Sequence, residues 1–162
     1  MHFKLARRVV AVSLVTAGAG LVGQACNSTM ANAQTAIDPI VGLWDSQVTI
    51  TDCHGTTTRQ FQARNIFHED GTMTDTDSQP PSTHGPAFGT WQSQGGGVYA
   101  SGFEFYRFNA DGTLAGSNVV QRTVTLGGGD GGFTSTLAVA VNDPTGANLM
   151  NACGTETATR SK

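Results

Sequence analysis

The chain has 162 residues, of which 13% are charged and 21 are glycine, and a formal net charge of −3. That length suits one domain rather than two, and little Lys, Glu or Leu beside abundant Thr, Val and Gly is a strand-and-turn composition. Beyond position 33 the basic residues are Arg59, Arg64, Arg107, Arg122, Arg160 and Lys162, six scattered cations against twelve acids (6 − 12 = −6), so nucleic acid and anionic membrane surfaces lack the positive footprint they need.

Residues 1–33 read as a cleavable signal peptide. Lys4, Arg7 and Arg8 form a positive start, Val9 to Val22 is apolar but too short for an ordinary membrane-spanning helix, and Ala31-Asn32-Ala33 places small residues where a signal peptidase requires them. The expectation is an exported protein, periplasmic or secreted, cut between Ala33 and Gln34. Two competing routes stay open. Gly23-Gln24-Ala25-Cys26 offers Cys26 as a lipid-anchor site, with Gly where a lipoprotein signal expects Leu, and Arg7-Arg8 is a twin-Arg pair without the rest of that motif. Cleavage after Ala33 discards Cys26 and leaves Cys53 and Cys153, an even pair for an oxidising compartment. A bridge across those 100 residues would contribute roughly 4.7 kcal/mol in the chain-entropy model.

After a lead-in over 34–41, the barrel domain is expected over 42–162. Alternation and turn signals predict eight strands: Trp44–Cys53, Thr58–Phe67, Thr72–Asp77, Ala87–Ser93, Val98–Phe108, Leu114–Leu126, Gly132–Val141 and Asn148–Arg160. The connections are short. Glu69-Asp70-Gly71 and Ala110-Asp111-Gly112 put Asp-Gly where a tight hairpin needs positive φ. Gly95-Gly96-Gly97, Gly127 to Gly132 and Asn142 to Gly146 are turn-like too, and none can hold the helix of a parallel crossover. The fold expected is all-β, a single eight-stranded antiparallel up-and-down barrel, because closure removes exposed edges. A sandwich of immunoglobulin type is the runner-up, and it would want long connections that are hard to find here. Ser78 to Pro86, with Pro80, Pro81 and Pro86, is unlike a hairpin and should cross one barrel mouth, as a stiff connector or as a lid. Phe67 to Met73 echoes Phe108 to Leu114, which predicts two similar hairpins.

The period of two assigns faces. Trp44, Val48 and Ile50 oppose Asp45, Gln47 and Thr49; Phe61, Ala63 and Phe67 oppose Gln60, Gln62 and Arg64. Tyr99, Phe103 and Phe105 oppose Glu104 and Tyr106; Phe133, Leu137, Val139 and Val141 oppose Thr134 and Thr136. The inward set is aromatic and aliphatic. Leu114, Val120, Val124 and Leu126 share a face with Asn118 and Arg122, so Arg122 is either a buried cation in need of an anionic partner or, more ordinarily, a rim residue with its guanidinium in water.

Several of these residues resemble a known family. Gly42-Leu43-Trp44 at the start of the first strand is similar to the G-x-W signature of the calycin superfamily, which includes lipocalins and avidin-like proteins. The resemblance implies an eight-stranded barrel and makes Arg160, after the last strand, the arginine that packs across that tryptophan. The chain also resembles uncharacterised exported bacterial proteins with Gly-x-Trp, Asp-Cys, a second Gly-x-Trp before a glycine run, and Cys-Gly followed by Arg. Here these are Gly42-Leu43-Trp44, Asp52-Cys53, Gly89-Thr90-Trp91 and Cys153-Gly154 with Arg160. That likeness brings no known activity. Absent flanking helices and different cysteine positions argue against carrying over a retinol-type ligand.

No motif specifies chemistry. A nucleophile elbow, an H-E-x-x-H helix and a P-loop are all missing from the sequence. Asp70, Asp75 and Asp77 do not have EF-hand spacing and read as a solvated acidic turn, and Cys53-His54 is too little for zinc. No metal or cofactor is expected. His54, His68 and His84 fall at strand ends or loops, where one could act as an acid or base beside Glu69 or Asp70. The leading expectation is a binding module holding a small apolar or amphipathic molecule among Trp44, Phe61, Trp91, Phe103, Phe105, Arg122 and Phe133. The alternative is a cyclase, isomerase or lyase, since allene oxide cyclases and dirigent proteins resemble this architecture; Arg122, Glu104, Tyr106 and His84 are then the residues to substitute. A structural or protein-contact role in the envelope is the third option.

Overall fold

A computed structural model describes residues 36–129 and 131–162; the segment 1–33 expected to be a signal peptide, with Cys26 and the expected cleavage point, lies outside the described residues. The strands are β1 (Gly42–Thr51), β2 (Thr57–Phe67), β3 (Thr72–Asp77), β4 (Ala87–Gly95), β5 (Val98–Phe108), β6 (Leu114–Leu126), β7 (Phe133–Asn142) and β8 (Asn148–Arg160). Each pairs antiparallel with the next, and β8 pairs back onto β1 from Trp44↔Arg160 to Thr51↔Cys153. The result is a closed up-and-down barrel, so no strand edge needs a partner chain.

The strand limits move by one or two residues from the pattern for identifiable reasons. β1 starts at Gly42 because that residue pairs with Phe67, and it stops at Thr51 because Cys53, the one described non-glycine residue at positive φ (65°), turns the chain away. The Asp-Gly turns are wider than two-residue hairpins. At both, only the glycine is left-handed (Gly71 φ 83°, Gly112 φ 82°), while the aspartate accepts from the amide two residues on, Asp70 from Thr72 at 2.9 Å and Asp111 from Thr113 at 3.0 Å. The Thr72 and Thr113 hydroxyls, each donating at 2.6 Å, and then these amides hold both carboxyls below the usual carboxylate range. The sequence echo is therefore one turn design used twice, at opposite ends of the barrel. Gly89 is required by close approach: a Cβ there would lie 1.9 Å from the Gly102 carbonyl oxygen.

Outward positions are mostly polar, including Gln47, Gln60, Gln62, Thr134 and Thr136, with Leu43, Ile66, Phe88 and Leu149 among the exceptions, and the inward ones are mostly apolar. This is the reverse of the arrangement in a membrane-spanning barrel. No helix among the described residues is long and apolar enough to cross a membrane.

At one end the interior is filled. Trp44 packs edge-on to Phe133 (5.2 Å between centroids), and Phe67 meets both Phe133 and Trp91 at about right angles. The lead-in closes this end from below, with Ile40 fully buried and its carbonyl accepting the Trp44 Nε1–H at 2.8 Å. Tyr99 donates to Asp38 at 2.7 Å; burial, then that carboxylate, pushes the phenol up to about 12. Arg160 lies 4.2 Å over the Trp44 ring and donates to the Val41 carbonyl at 2.9 Å, clasping the lead-in to the barrel. At the other end Cys53 and Cys153 form a disulfide, Cα to Cα 4.8 Å, tying the β1–β2 turn to β8.

Candidate functional site: a cavity over a buried polar layer

Halfway along the barrel the aromatic packing gives way to polar side chains. Ser46 on β1, Asn65 on β2, Ser101 on β5, Arg122 on β6, Ser135 on β7 and Glu156 on β8 all point inward and are buried. Each sits at a position that alternation reserves for the interior: Ser46 between Trp44 and Val48, Asn65 between Ala63 and Phe67, Glu156 two before Ala158.

Their hydrogen bonds close into one network. Arg122 Nη1 donates to Asn65 Oδ1 at 2.7 Å and to Glu156 Oε2 at 3.0 Å, and its Nε donates to Ser101 Oγ at 3.0 Å. Glu156 also accepts from Asn65 Nδ2 at 2.9 Å and from Ser135 Oγ at 2.8 Å. The guanidinium stacks 5.0 Å from the Phe103 ring centroid and 5.5 Å from that of Phe67, with Nη2 at 3.4 Å from Met73 Sδ. Burying the two opposite charges costs several kcal/mol each, which their attraction offsets only with this degree of hydrogen bonding. The rim position expected for Arg122 is thus corrected: its side chain is 1% exposed. The reason is Glu156, a partner 34 residues away in sequence that single-strand patterning cannot supply.

Above this layer lies a cavity of about 330 Å³. Val48, Ile50, Phe61, Phe103, Phe105, Val120, Leu137, Val139 and Val141 form its walls; Arg122 and Glu156 form its floor, and Arg59, Gln79, Arg107, Asn118 and Met150 lie toward the mouth. Of the seven residues picked from the sequence, Phe61, Phe103, Phe105 and Arg122 line the cavity. Trp44, Trp91 and Phe133 belong to the filled end on the far side of the polar layer. Hydrophobic alternation selects every inward residue alike and cannot tell the two ends apart.

The acidic residues of β3 are the second correction. Asp70 does sit in an exposed turn, but Asp75 and Asp77 alternate with the buried Met73 and face the cavity. Asp77 is satisfied by His84 Nε2 at 2.8 Å and by the Gln79 amide at 2.8 Å and Nε2 at 2.9 Å. Asp75, opposite Asn65 in the ladder, makes no side-chain hydrogen bond or ion pair to a described residue. Burial pushes its carboxyl up to about 8, with Arg122 opposing the shift and Glu156 and Asp77 adding to it. No group of three His, Cys, Asp or Glu side chains among the described residues is arranged to hold a metal.

The proline-rich segment 78–86 borders the cavity mouth. It is held at both ends: the Ser78 amide donates to the Gln62 carbonyl (2.9 Å), the Gly85 amide to the Tyr106 carbonyl (2.8 Å) and the Phe108 amide to the Thr83 carbonyl (2.8 Å). His84 packs edge-on to Phe105, 5.4 Å between centroids, and both its ring nitrogens face oxygens, those of Asp77 and the Gly85 carbonyl. Such pinning is that of a connector. Glu104 is exposed on the outer wall, as is Tyr106 (60% exposed), because strict alternation after Phe103 and Phe105 turns them outward. His54 is exposed in the β1–β2 turn, and His68 closes the β2–β3 turn at the filled end, where its carbonyl accepts Trp91 Nε1–H at 2.9 Å. Leu114, placed inward by pattern, is 42% exposed, beside a register shift at the β5–β6 turn. No family model matches the chain, and neither the curated proteins nor the solved structures compared with it contain a match.

Proposed function

We propose that the protein is an exported, calycin-like barrel that binds a small amphipathic molecule in its inner cavity. The observation that carries this reading is the cavity of about 330 Å³ with apolar walls over a charged floor. Its size falls at the lower end of small-molecule sites, and few polar groups in an apolar pocket are what orient a bound ligand. Two residues that line it, Asn118 and Arg107, each carry a buried polar atom without a described partner, Oδ1 and Nε, and such groups cost stability when left unmet. The Trp44–Arg160 stack supports the calycin likeness, and the disulfide, with the leader pattern at 1–33, supports export to an oxidising compartment.

The test is native mass spectrometry of the oxidised protein with a panel of lipids, steroids and aromatic compounds, on the wild type and on Val139→Trp, which fills the cavity from its wall. Retention by the wild type and loss in the variant, with the far-UV circular dichroism of both alike, is the expected result. Absence of any bound compound, or equal retention by the variant, would overturn the reading. For export, the amino terminus of the protein recovered from the cell envelope or medium should be Gln34.

One observation favours a second reading, the cyclase, isomerase or lyase. Asp75 supplies an acid whose pKa is suited to proton transfer near neutral pH, aimed into an apolar chamber. Glu104 and Tyr106 stand on the outer wall and cannot take that part. Turnover lost in Asp75→Asn but kept in Glu104→Gln would favour the enzyme.

A further inference from the structure

We infer that the molecule held in the cavity carries a protonated amine at its inner end, with the Asp75 carboxylate as its counter-ion. This rests on the reading of the cavity as a ligand site and adds the ligand class to it.

The argument starts from which polar groups are already used. Arg122 spends four of its five N–H donors on Ser101, Asn65, Glu156 and the Met73 sulfur. Glu156 accepts from Arg122, Asn65 and Ser135. Asp77 accepts from Gln79 and His84. Asp75 lines the same cavity and receives no hydrogen bond from a described side chain. It stands one inward position closer to the mouth than Met73 and opposite Asn65, so it lies beside the buried network. An acid half-buried against the cavity has room there for a donor, and no described side chain provides one.

Charge decides which donor. The groups facing Asp75 are Arg122 from β6, Glu156 from β8 and Asp77 from its own strand. β1 and β7 contribute only aliphatic side chains to the cavity, while Arg59 of β2 and Arg107 of β5 lie nearer the mouth. There Arg59 donates to Gln79, and Arg107 to the Asn142 carbonyl at 2.8 Å; His84 of the connector is on Asp77. The one described cation beside Asp75 is already neutralised by Glu156, so an anionic head at the inner end would meet carboxylates there, the cavity's other described cations, Arg59 and Arg107, lying at the mouth. A hydroxyl would satisfy one bond and leave the charge imbalance. An ammonium brings three donors and the missing positive charge together.

The same surroundings make recognition depend on pH. The Asp75 carboxyl is pushed up to about 8, so below that pH the empty cavity holds it as the neutral acid and an ammonium must displace the proton. Affinity for an amine therefore rises with pH, by up to about ten-fold per pH unit below the Asp75 pKa, until the amine loses its own proton near ~10.

Calorimetric titration of the oxidised full-length protein with decylamine, decanol and decanoate tests this, since the three share one apolar body. Expected is binding of decylamine at least about ten-fold tighter than decanol at pH 8, as a charge-assisted bond should give. That advantage should shrink about ten-fold or more at pH 6 and vanish in Asp75→Asn, with decanol unaffected. Decanol or decanoate binding as well as the amine, an amine preference indifferent to pH, or one that survives Asp75→Asn would overturn the amine assignment and leave the cavity reading standing. Failure of all three to bind would overturn both. If Asp75→Asn does not fold, the wild-type ratio between the two pH values decides.

Discussion

The two ends of this barrel are built from the same strands with the same alternation, yet one is a packed core and the other a chamber. At the filled end Trp44, Phe67, Trp91 and Phe133 meet edge to face, and the lead-in with Ile40 seals them. At the open end the inward residues are mostly shorter, Val48, Val120, Leu137, Val139 and Ala152, and they leave about 330 Å³ between them. Side-chain volume against a fixed barrel radius makes the difference. The polar layer from Ser46 to Glu156 separates the two, giving the chamber a floor that cannot be pushed down into the core.

The largest effect should come from that floor. Glu156→Leu leaves Arg122 buried without its counter-ion and is expected to cost about 3–5 kcal/mol in urea unfolding; a loss under about 1 kcal/mol would mean that the layer does not divide the barrel as described. Next, the ends themselves can be compared by one substitution. Phe67→Ala in the packed end should cost about 3–5 kcal/mol, whereas Phe105→Ala, whose ring already borders empty space, should cost about 1–2 kcal/mol. Equal costs would abolish the distinction. Replacing Cys53 and Cys153 together by serine should cost about 2–5 kcal/mol and should raise hydrogen exchange at the open end first, at the turns 52–56 and 143–147, with the Trp44 indole environment unchanged. The smallest effect per step is the titration of Asp75. Its folded pKa, about 8, lies above its ordinary value of 3.8, so the folded state binds this proton more tightly. The contribution is complete below pH 3.8 and is lost as pH rises toward 8, at up to about 1.4 kcal/mol per pH unit. Asp75→Asn should flatten that slope in denaturant unfolding measured from pH 5 to pH 8.

Much of the architecture was legible because it depends on local alternation. Asp-Gly and glycine turns excluded crossovers, and a period of two placed Val48, Phe61, Phe103 and Val139 inside. The site was legible only in part. Phe61, Phe103, Phe105 and Arg122 were found because they share a face with apolar neighbours. Glu156, Asn65, Ser101 and Ser135 occupy inward positions by the same parity, and following parity without regard to polarity would have found them. Asp75 read as a member of an acidic turn because Asp70 and Asp77 flank it, although it and Asp70 differ by five positions and so fall on opposite faces of an extended chain.

By itself the sequence determined the strand count, the antiparallel order and most of the inward faces, because each follows from neighbours along the chain. Only the tertiary structure decided that Arg122 is buried on Glu156, that the aromatic set splits between a plug and a chamber wall, and that Asp75 faces the chamber without a partner among the described residues. Those outcomes depend on which strands come to lie across the barrel from one another, and on how much volume their side chains leave, quantities that exist only once the sheet has closed.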